Sequence, residues 1–199
     1  MPPAALTIIR DEHRTLTAVL QGLQFLVKDV RDREIAPDFE LFTIILDYID
    51  VFPDRFHHPK ENDHLFKRLR ARTREADAVL DELEAEHAQG ERLIHELRHA
   101  LALWRVSGRE GLAGFARAVD GYVDLHWTHM RKEEDVVMPL AERALAPEDW
   151  AAIDAAFRAN DDPVFGAKPG QEFRRLFQLI VNLAPPPLGV GEAREAPKR

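Results

Sequence analysis

A pattern of histidine, lysine and acidic residues occurs twice in this chain. His57-His58-Pro59-Lys60-Glu61-Asn62-Asp63 aligns with His129-Met130-Arg131-Lys132-Glu133-Glu134-Asp135, so each copy reads His-x-x-Lys-Glu-[Asn/Glu]-Asp. A further histidine precedes each copy: His13 in Asp11-Glu12-His13, and His87 in Ala85-Glu86-His87. The offsets nearly repeat, with 44 residues from His13 to His57 and 42 from His87 to His129. Four imidazoles and two carboxylates, symmetric by halves, are a ligand set for two metal ions. Residues four apart on a helix share a face, so His57 with Glu61, and His129 with Glu133, can each serve one site. His13 and His87 would add one imidazole each from neighbouring helices.

Four long helical segments must position these groups. The first, about Ala4 to Arg31, carries the apolar seam Leu6, Ile9, His13, Leu16, Leu20, Leu23, Val27 and Val30. Its steps of three and four are the period of a helix that buries one face. The second, about Asp38 to Arg70, carries Leu41, Ile45, Tyr48 and Phe52, then His57, Glu61, Leu65 and Leu69. Pro53 and Pro59 should kink it, because proline removes a backbone donor. The third, about Glu75 to Val106, carries Leu80, Leu83, His87, Gly90, Ile94, Leu97, Leu101 and Trp104. Ser107-Gly108 ends it. The fourth, about Leu112 to Leu145, carries Phe115, Val119, Tyr122, His126, His129, Glu133, Val136 and Leu140.

These segments predict an all-α fold, an up-down-up-down four-helix bundle over residues 4–145 with two extra C-terminal helices. Ala146-Pro147-Glu148-Asp149 starts a short helix to about Ala159, and Asn160-Asp161-Asp162-Pro163 breaks it. A last helix, about Gln171 to Leu183, offers Phe173, Leu176, Phe177 and Ile180 to the bundle, so residues 146–184 form a packed extension. Residues 185–199, rich in Pro, Gly, Glu, Ala and Arg, read as disordered.

Energetics sharpens the metal reading. Glu61 and Glu133 lie on core-facing seams, and an ionised carboxylate in a dry core is costly without a partner. No Lys or Arg shares those seams at that level, whereas divalent cations bridged by the carboxylates would neutralise them. A lone histidine on an apolar face is usually a hydrogen-bonded core residue, and a lone His-x-x-x-Glu is usually an ordinary helix pair. The coincidence of both, in both halves, is what favours metal. His126, His58 and Glu91 are further candidates, as ligands or as hydrogen-bond partners of ligands. His64, His95 and His99 fall off the seams. The Glu and Arg runs between Arg68 and Glu86 read as a solvated face.

The bulk composition agrees. A net charge of −8 at pH 7 argues against a nucleic-acid partner. With no cysteine, thiolate zinc sites, cysteine-ligated iron–sulfur clusters and cysteine nucleophiles are excluded. Imidazole and carboxylate remain, a donor set that suits iron, manganese or zinc, and iron is preferred here. No signal-peptide pattern opens the chain and no apolar run approaches the roughly 20 residues of a membrane span. A cytoplasmic location is the expectation.

The segment Phe56-His57-His58-Pro59-Lys60-Glu61 followed by Leu65-Phe66, with His129-Met130-x-x-Glu133-Glu134 before Met138-Pro139, resembles the hemerythrin-like (HHE cation-binding) family. The likeness spans roughly Leu6 to Leu145. It implies a four-helix bundle around two iron ions in an oxo- or hydroxo-bridged centre. By position, His13, His57, His87 and His129 would be terminal iron ligands, and Glu61 and Glu133 bridging carboxylates. Oxygen-carrying hemerythrins have a second histidine four residues along the third helix. Here Glu91 stands there, so one iron looks short of a nitrogen donor unless His126 or Glu91 supplies it. The four-His, two-Glu set is instead similar to bacterial proteins linked to iron–sulfur repair and nitric-oxide stress. The cysteine-bearing segment common in those has no counterpart in this sequence.

The function expected is therefore a non-haem di-iron protein that senses or handles oxygen, nitric oxide or peroxide. An iron donor or store for the repair of iron–sulfur centres, a di-iron oxidoreductase, and a partner-binding signalling module are the alternatives. Binding and sensing are favoured over enzymatic turnover.

Overall fold

The computed structural model describes residues 3–158 and 169–192. Among them every regular element is helical: α1 (Ala4–Arg33), α2 (Phe39–Phe52), α3 (His58–Lys60), α4 (Lys67–Arg72), α5 (Asp77–Ser107), α6 (Arg109–Lys132), α7 (Met138–Ala144), α8 (Pro147–Arg158) and α9 (Pro169–Leu183). Three wider π turns join them: Pro53–His57, Glu61–Phe66 and Glu133–Val137. The second predicted helix is thus one continuous rod, α2 through α4, and the fourth is α6 continued into α7. No described helix is long and apolar enough to cross a membrane.

The starts and stops follow from local chemistry. Asp38 caps α2 by accepting a hydrogen bond from the Leu41 backbone N–H at 2.9 Å. Glu34 adopts the left-handed conformation that closes α1, and Gly108, at φ 62°, turns α5 into α6. A Cβ on Gly111 would lie 2.4 Å from the Trp104 Cα, so only glycine permits that close return. α5 and α6 pack along each other, α1 packs on α6, and α2 packs on α5. Arg98 of α5 adds ion pairs to Asp47 at 2.7 Å and Asp50 at 2.9 Å on α2.

The prolines expected to kink the second segment widen it instead. The N–H of His58 donates to the Pro53 carbonyl, five residues back, and the N–H of Lys67 to that of Asn62. The fourth segment does the same, Met138 N–H bonding the Glu133 carbonyl. A proline ring collides with the carbonyl four residues earlier. For Pro59 and Pro139 that residue, Arg55 or Asp135, lies in a π turn. The extra residue rotates everything downstream. Val136, expected on the seam, is therefore exposed, and Val137, Met138 and Ala141 are buried in its stead. The α5 seam has no such interruption, and all eight of its expected residues are buried.

Two apolar clusters result. One joins Leu16, Leu20, Leu23, Leu46, Ile49, Phe52, Ile94, Leu97, Trp104, Phe115, Val119 and Tyr122 with others. The second joins Leu6, Ile9, Leu65, Phe66, Leu69, Leu80, Leu83, Val137, Met138, Ile153 and Phe157 among others. Between them, along every rod, sit the buried polar side chains: His13, His57, His58, Glu61, His87, His126, His129 and Glu133.

α8 packs on α1 and α9 on α2, where Phe177 meets the Tyr48 ring at 6.1 Å. The tail departs from expectation in part. Val190 N–H bonds the Val181 carbonyl, Gly191 N–H bonds that of Ala184, and Leu188 packs against the first cluster beside Gly22. Backbone bonding to the end of α9 orders this piece despite its composition. Residues 193–199, the breaker at 160–163 and the Phe173 side chain lie outside what is described.

α8 also supplies what the start of α1 lacks. Pro3 has no capping side chain, and the Asp154 carboxylate accepts from the backbone N–H of Ala4 at 3.3 Å and of Ala5 at 2.8 Å. Such groups at a helix start otherwise go unpaired. Asp154→Ala is expected to cost about 1 kcal/mol. A lowered urea midpoint at unchanged slope and unchanged metal content is the expected reading, and an unmoved midpoint would remove Asp154 as the cap.

Candidate metal centre

Each rod contributes to one polar layer. α1 brings His13 and α5 brings His87. The π turn Pro53–His57 ends on His57, and the next begins on Glu61. In the other half His129 lies in the last turn of α6, and Glu133 opens the third π turn. Both carboxylates sit where the helix widens, as π turns at functional sites often do. Six of the residues expected from sequence thus come together: His13, His57, Glu61, His87, His129 and Glu133.

They form two positions that share both carboxylates. His13, His57, Glu61 and Glu133 place ligand atoms within 4.8 Å of one another, as do His87, His129, Glu61 and Glu133. The oxygens divide accordingly. Glu61 Oε1 is 3.3 Å from His57 Nε2, while its Oε2 is 3.6 Å from His87 Nε2. Glu133 Oε2 is 3.1 Å from His13 Nε2, and its Oε1 is 3.2 Å from His129 Nε2. Each carboxylate therefore faces one position with one oxygen and the second position with the other. The Nε2 atoms of His87 and His129 are 3.1 Å apart. Two nitrogens bound at right angles to one ion at about 2.1 Å would be ~3 Å apart.

The polar atoms here are short of protein partners. His13 Nε2 and all four oxygens of Glu61 and Glu133 are buried without a hydrogen bond. Buried polar atoms are rarely left so, and cations at the two positions would satisfy all five. The protein groups alone put large forces on one another. Burial opposes a charge on His129, but Glu133 and Glu86 outweigh it and hold its pKa at about 10. His57 and His13 are likewise raised against burial, by Glu61 with Glu12 and by Glu133 with Glu134. Burial and the Glu133 charge raise Glu61, whereas His129 and His13 pull Glu133 well below the usual range despite burial.

The remote nitrogen of each imidazole is held by a second residue. His57 Nδ1 donates to Glu12 at 2.8 Å and His129 Nδ1 to Glu86 at 3.1 Å. His13 Nδ1 donates to Glu134 at 2.8 Å and His87 Nδ1 to Asn62 at 3.0 Å. With Nδ1 donating, Nε2 is the atom left for a cation, and the ring orientation is fixed. Lys132 in turn contacts Glu82 and Glu86. None of these four partners lies on a predicted seam, and Glu86 belongs to a run whose composition predicts a solvated face. Their signal was present, since Glu precedes both His13 and His87, and Asn62 and Glu134 occupy the same place in the two motif copies.

The three secondary candidates separate. His58 joins the centre, with His58, His87 and His129 forming a third set of converging ligand atoms. Its ring stacks on His87 at 3.9 Å, and burial with the neighbouring imidazoles keeps it neutral, its pKa well below the ordinary value. His126 does not join any such set. Its Nδ1 donates to the Tyr122 carbonyl at 2.9 Å, its ring stacks on Tyr122 at 4.1 Å, and burial lowers its pKa to about 4. Glu91 is exposed and outside every set. The widened turn explains this outcome: it swings His58, next to His57 in sequence, toward α5, where an unbroken helix would not.

A hemerythrin HHE cation-binding domain matches residues 4–141. The chain belongs to the hemerythrin HHE family. No curated protein and no solved structure matches it. The match reaches into all four rods and includes every residue of the centre, so cation binding is the family property that the layer of imidazoles and carboxylates serves.

Glu61→Ala and Glu133→Ala are each expected to lower bound metal at both positions, because each carboxylate faces both. His58→Ala should weaken retention at the His87 and His129 position, while His126→Ala should keep full occupancy. Metal per chain, counted by plasma mass spectrometry after dialysis against a chelator, checks all four. Loss of metal in His126→Ala with full retention in His58→Ala would reverse the assignment.

Proposed function

We propose that this hemerythrin HHE protein holds two iron ions and responds to a small oxidant or diatomic ligand: oxygen, nitric oxide or peroxide. On this reading the four rods run up-down-up-down, and the layer between the two apolar clusters is the di-iron site. The observation that carries it is the division of each carboxylate, one oxygen to each imidazole set. His13 and His57 would hold one ion, His87, His129 and His58 the second, and Glu61 and Glu133 would be shared between them. A bound iron pair supplies one-electron chemistry and open coordination positions for small ligands.

The protein's own part is to orient and to exclude. Glu12, Glu134, Glu86 and Asn62 lock the rings. The clusters on either side keep bulk water from the layer. His13 is reached from a surface recess lined by Trp127, Met130 and Glu134, and a second recess reaches Glu12, Tyr48 and Phe52, beside His57. Both approach the His13 and His57 position, which has two imidazoles against three at its neighbour. His58 answers the shortage of nitrogen donors that the sequence suggested, so five imidazoles serve the centre.

Aerobically purified protein from iron-rich cells should contain about two iron atoms per chain. Its absorption and Mössbauer spectra should change on reduction and again on exposure of the reduced protein to oxygen or nitric oxide. Iron binding should raise the melting temperature, since a ligand of the native state stabilises it by mass action. A preparation holding only zinc, or iron that ignores both gases, would overturn the proposal. Ready transfer of iron to an apo-acceptor would point to an iron donor instead.

A further inference from the structure

The set of four residues that hold the imidazoles is two-fold symmetric except at one place. Glu12 and Glu86, each just before a ligand histidine, hold His57 and His129. Glu134 and Asn62, each just after a bridging carboxylate, hold His13 and His87. Three of the four are carboxylates and Asn62 is a neutral amide. Both imidazoles of the His13 and His57 position thus donate to full negative charges. At the second position His129 donates to the Glu86 carboxylate, but His87 donates to the uncharged oxygen of Asn62.

We propose that Asn62 makes the two metal positions electronically unequal, so that the ion at His13 and His57 gives up the first electron and the ion at His87, His129 and His58 stays ferrous. The idea rests on the two-iron reading above. An ion that goes from a charge of +2 to +3 polarises the N–H of its imidazoles, and an anionic acceptor on that N–H favours the higher charge more than an amide does. Hydrogen bonds to an ionised acceptor are roughly twice as strong as neutral ones. The bond from His13 is also the shorter, 2.8 Å against 3.0 Å from His87. The step is a one-electron oxidation. With two ferrous ions bound, an outer-sphere acceptor such as ferricyanide would take one electron, and the hydrogen bonds of Asn62 and Glu134 would set which position releases it. Asn62 and Glu134 are positioning residues in this scheme, because their oxygens accept from the remote Nδ1 of His87 and of His13.

The test compares the wild-type protein with Asn62→Asp, Glu134→Gln and the double variant, each loaded with iron and counted. Fewer than two iron atoms per chain in the wild type would sink the di-iron reading itself, whatever the potentials show. With two iron atoms present, a ferricyanide titration followed by electron paramagnetic resonance gives the two potentials and the yield of the mixed-valent state. Asn62→Asp, nearly isosteric, should lower the second potential and reduce the comproportionation constant about tenfold, the equilibrium factor that corresponds to the difference in strength between a hydrogen bond to a charged acceptor and one to a neutral acceptor. Glu134→Gln should raise the first potential and lower the comproportionation constant by a similar factor, and its partly exposed side chain makes misfolding a minor risk. The double variant should recover a large mixed-valent yield with the positions exchanged, seen as a changed signal. Potentials that stay fixed in both single variants at full iron content would overturn the proposal. So would a mixed-valent signal in the double variant identical to that of the wild type.

Discussion

Two carboxylates face each other in the middle of this molecule, and nearly everything around them answers to that fact. Glu61 and Glu133 are almost wholly buried, at 1% and 2% exposure, with no hydrogen bond to any of their four oxygens. Placing like charges together in a dry interior is among the least favourable arrangements a protein can make. It persists only where positive charge is supplied on both sides. Imidazoles ring the pair at 3.1 to 3.6 Å and leave two positions at which a cation would touch oxygen and nitrogen together. Removing either carboxylate's counter-charge would leave the other stranded, so the layer behaves as a unit.

The backbone bends to this constraint. A regular helix presents side chains every third or fourth residue, and a carboxylate one turn past its histidine fits that spacing. Carrying the apolar seam onward past the polar layer does not fit it in either motif copy. In both halves a π turn absorbs an extra residue at the glutamate, with a proline close by to tolerate the wider turn. One consequence is the re-phased burial of Val137 and Met138. Another is the placement of His58 over the His87 ring. The same local device that lets the core continue thus brings a further imidazole beside those of His87 and His129.

Pseudo-symmetry extends beyond the ligands. The residue before each lone histidine holds the imidazole of the motif in the same half, and the residue after each glutamate holds the lone histidine of the opposite half. Each half of the chain therefore fixes part of the other, and the centre cannot assemble from one half alone. The C-terminal helices are not symmetric. α8 closes the open start of α1 through Asp154, and α9 lies on α2 beside Tyr48, so the extension braces the two rods that carry His13 and His57.

Much of this was legible in the chain itself. The seam of α5 could be read to the residue, because a long uninterrupted helix keeps one period and burial follows it. The convergence of His13, His57, Glu61, His87, His129 and Glu133 could be anticipated because a repeated His-x-x-x-Glu fixes relative position within a helix, whatever packs against it. What the sequence could not decide was everything that depends on the rotation of one helix against another. His126 continues the apolar seam and looked the better fifth imidazole, yet it turns to the Tyr122 carbonyl. His58, beside the seam, reaches the centre through a π turn that no periodicity announces. The partners Glu12, Glu86, Asn62 and Glu134 stood in the repeat but lay off the buried face, and only packing of neighbouring rods brings each to a remote nitrogen. Spacing along the chain determined which residues could share a face. Contact between rods, a tertiary matter, decided which atoms meet.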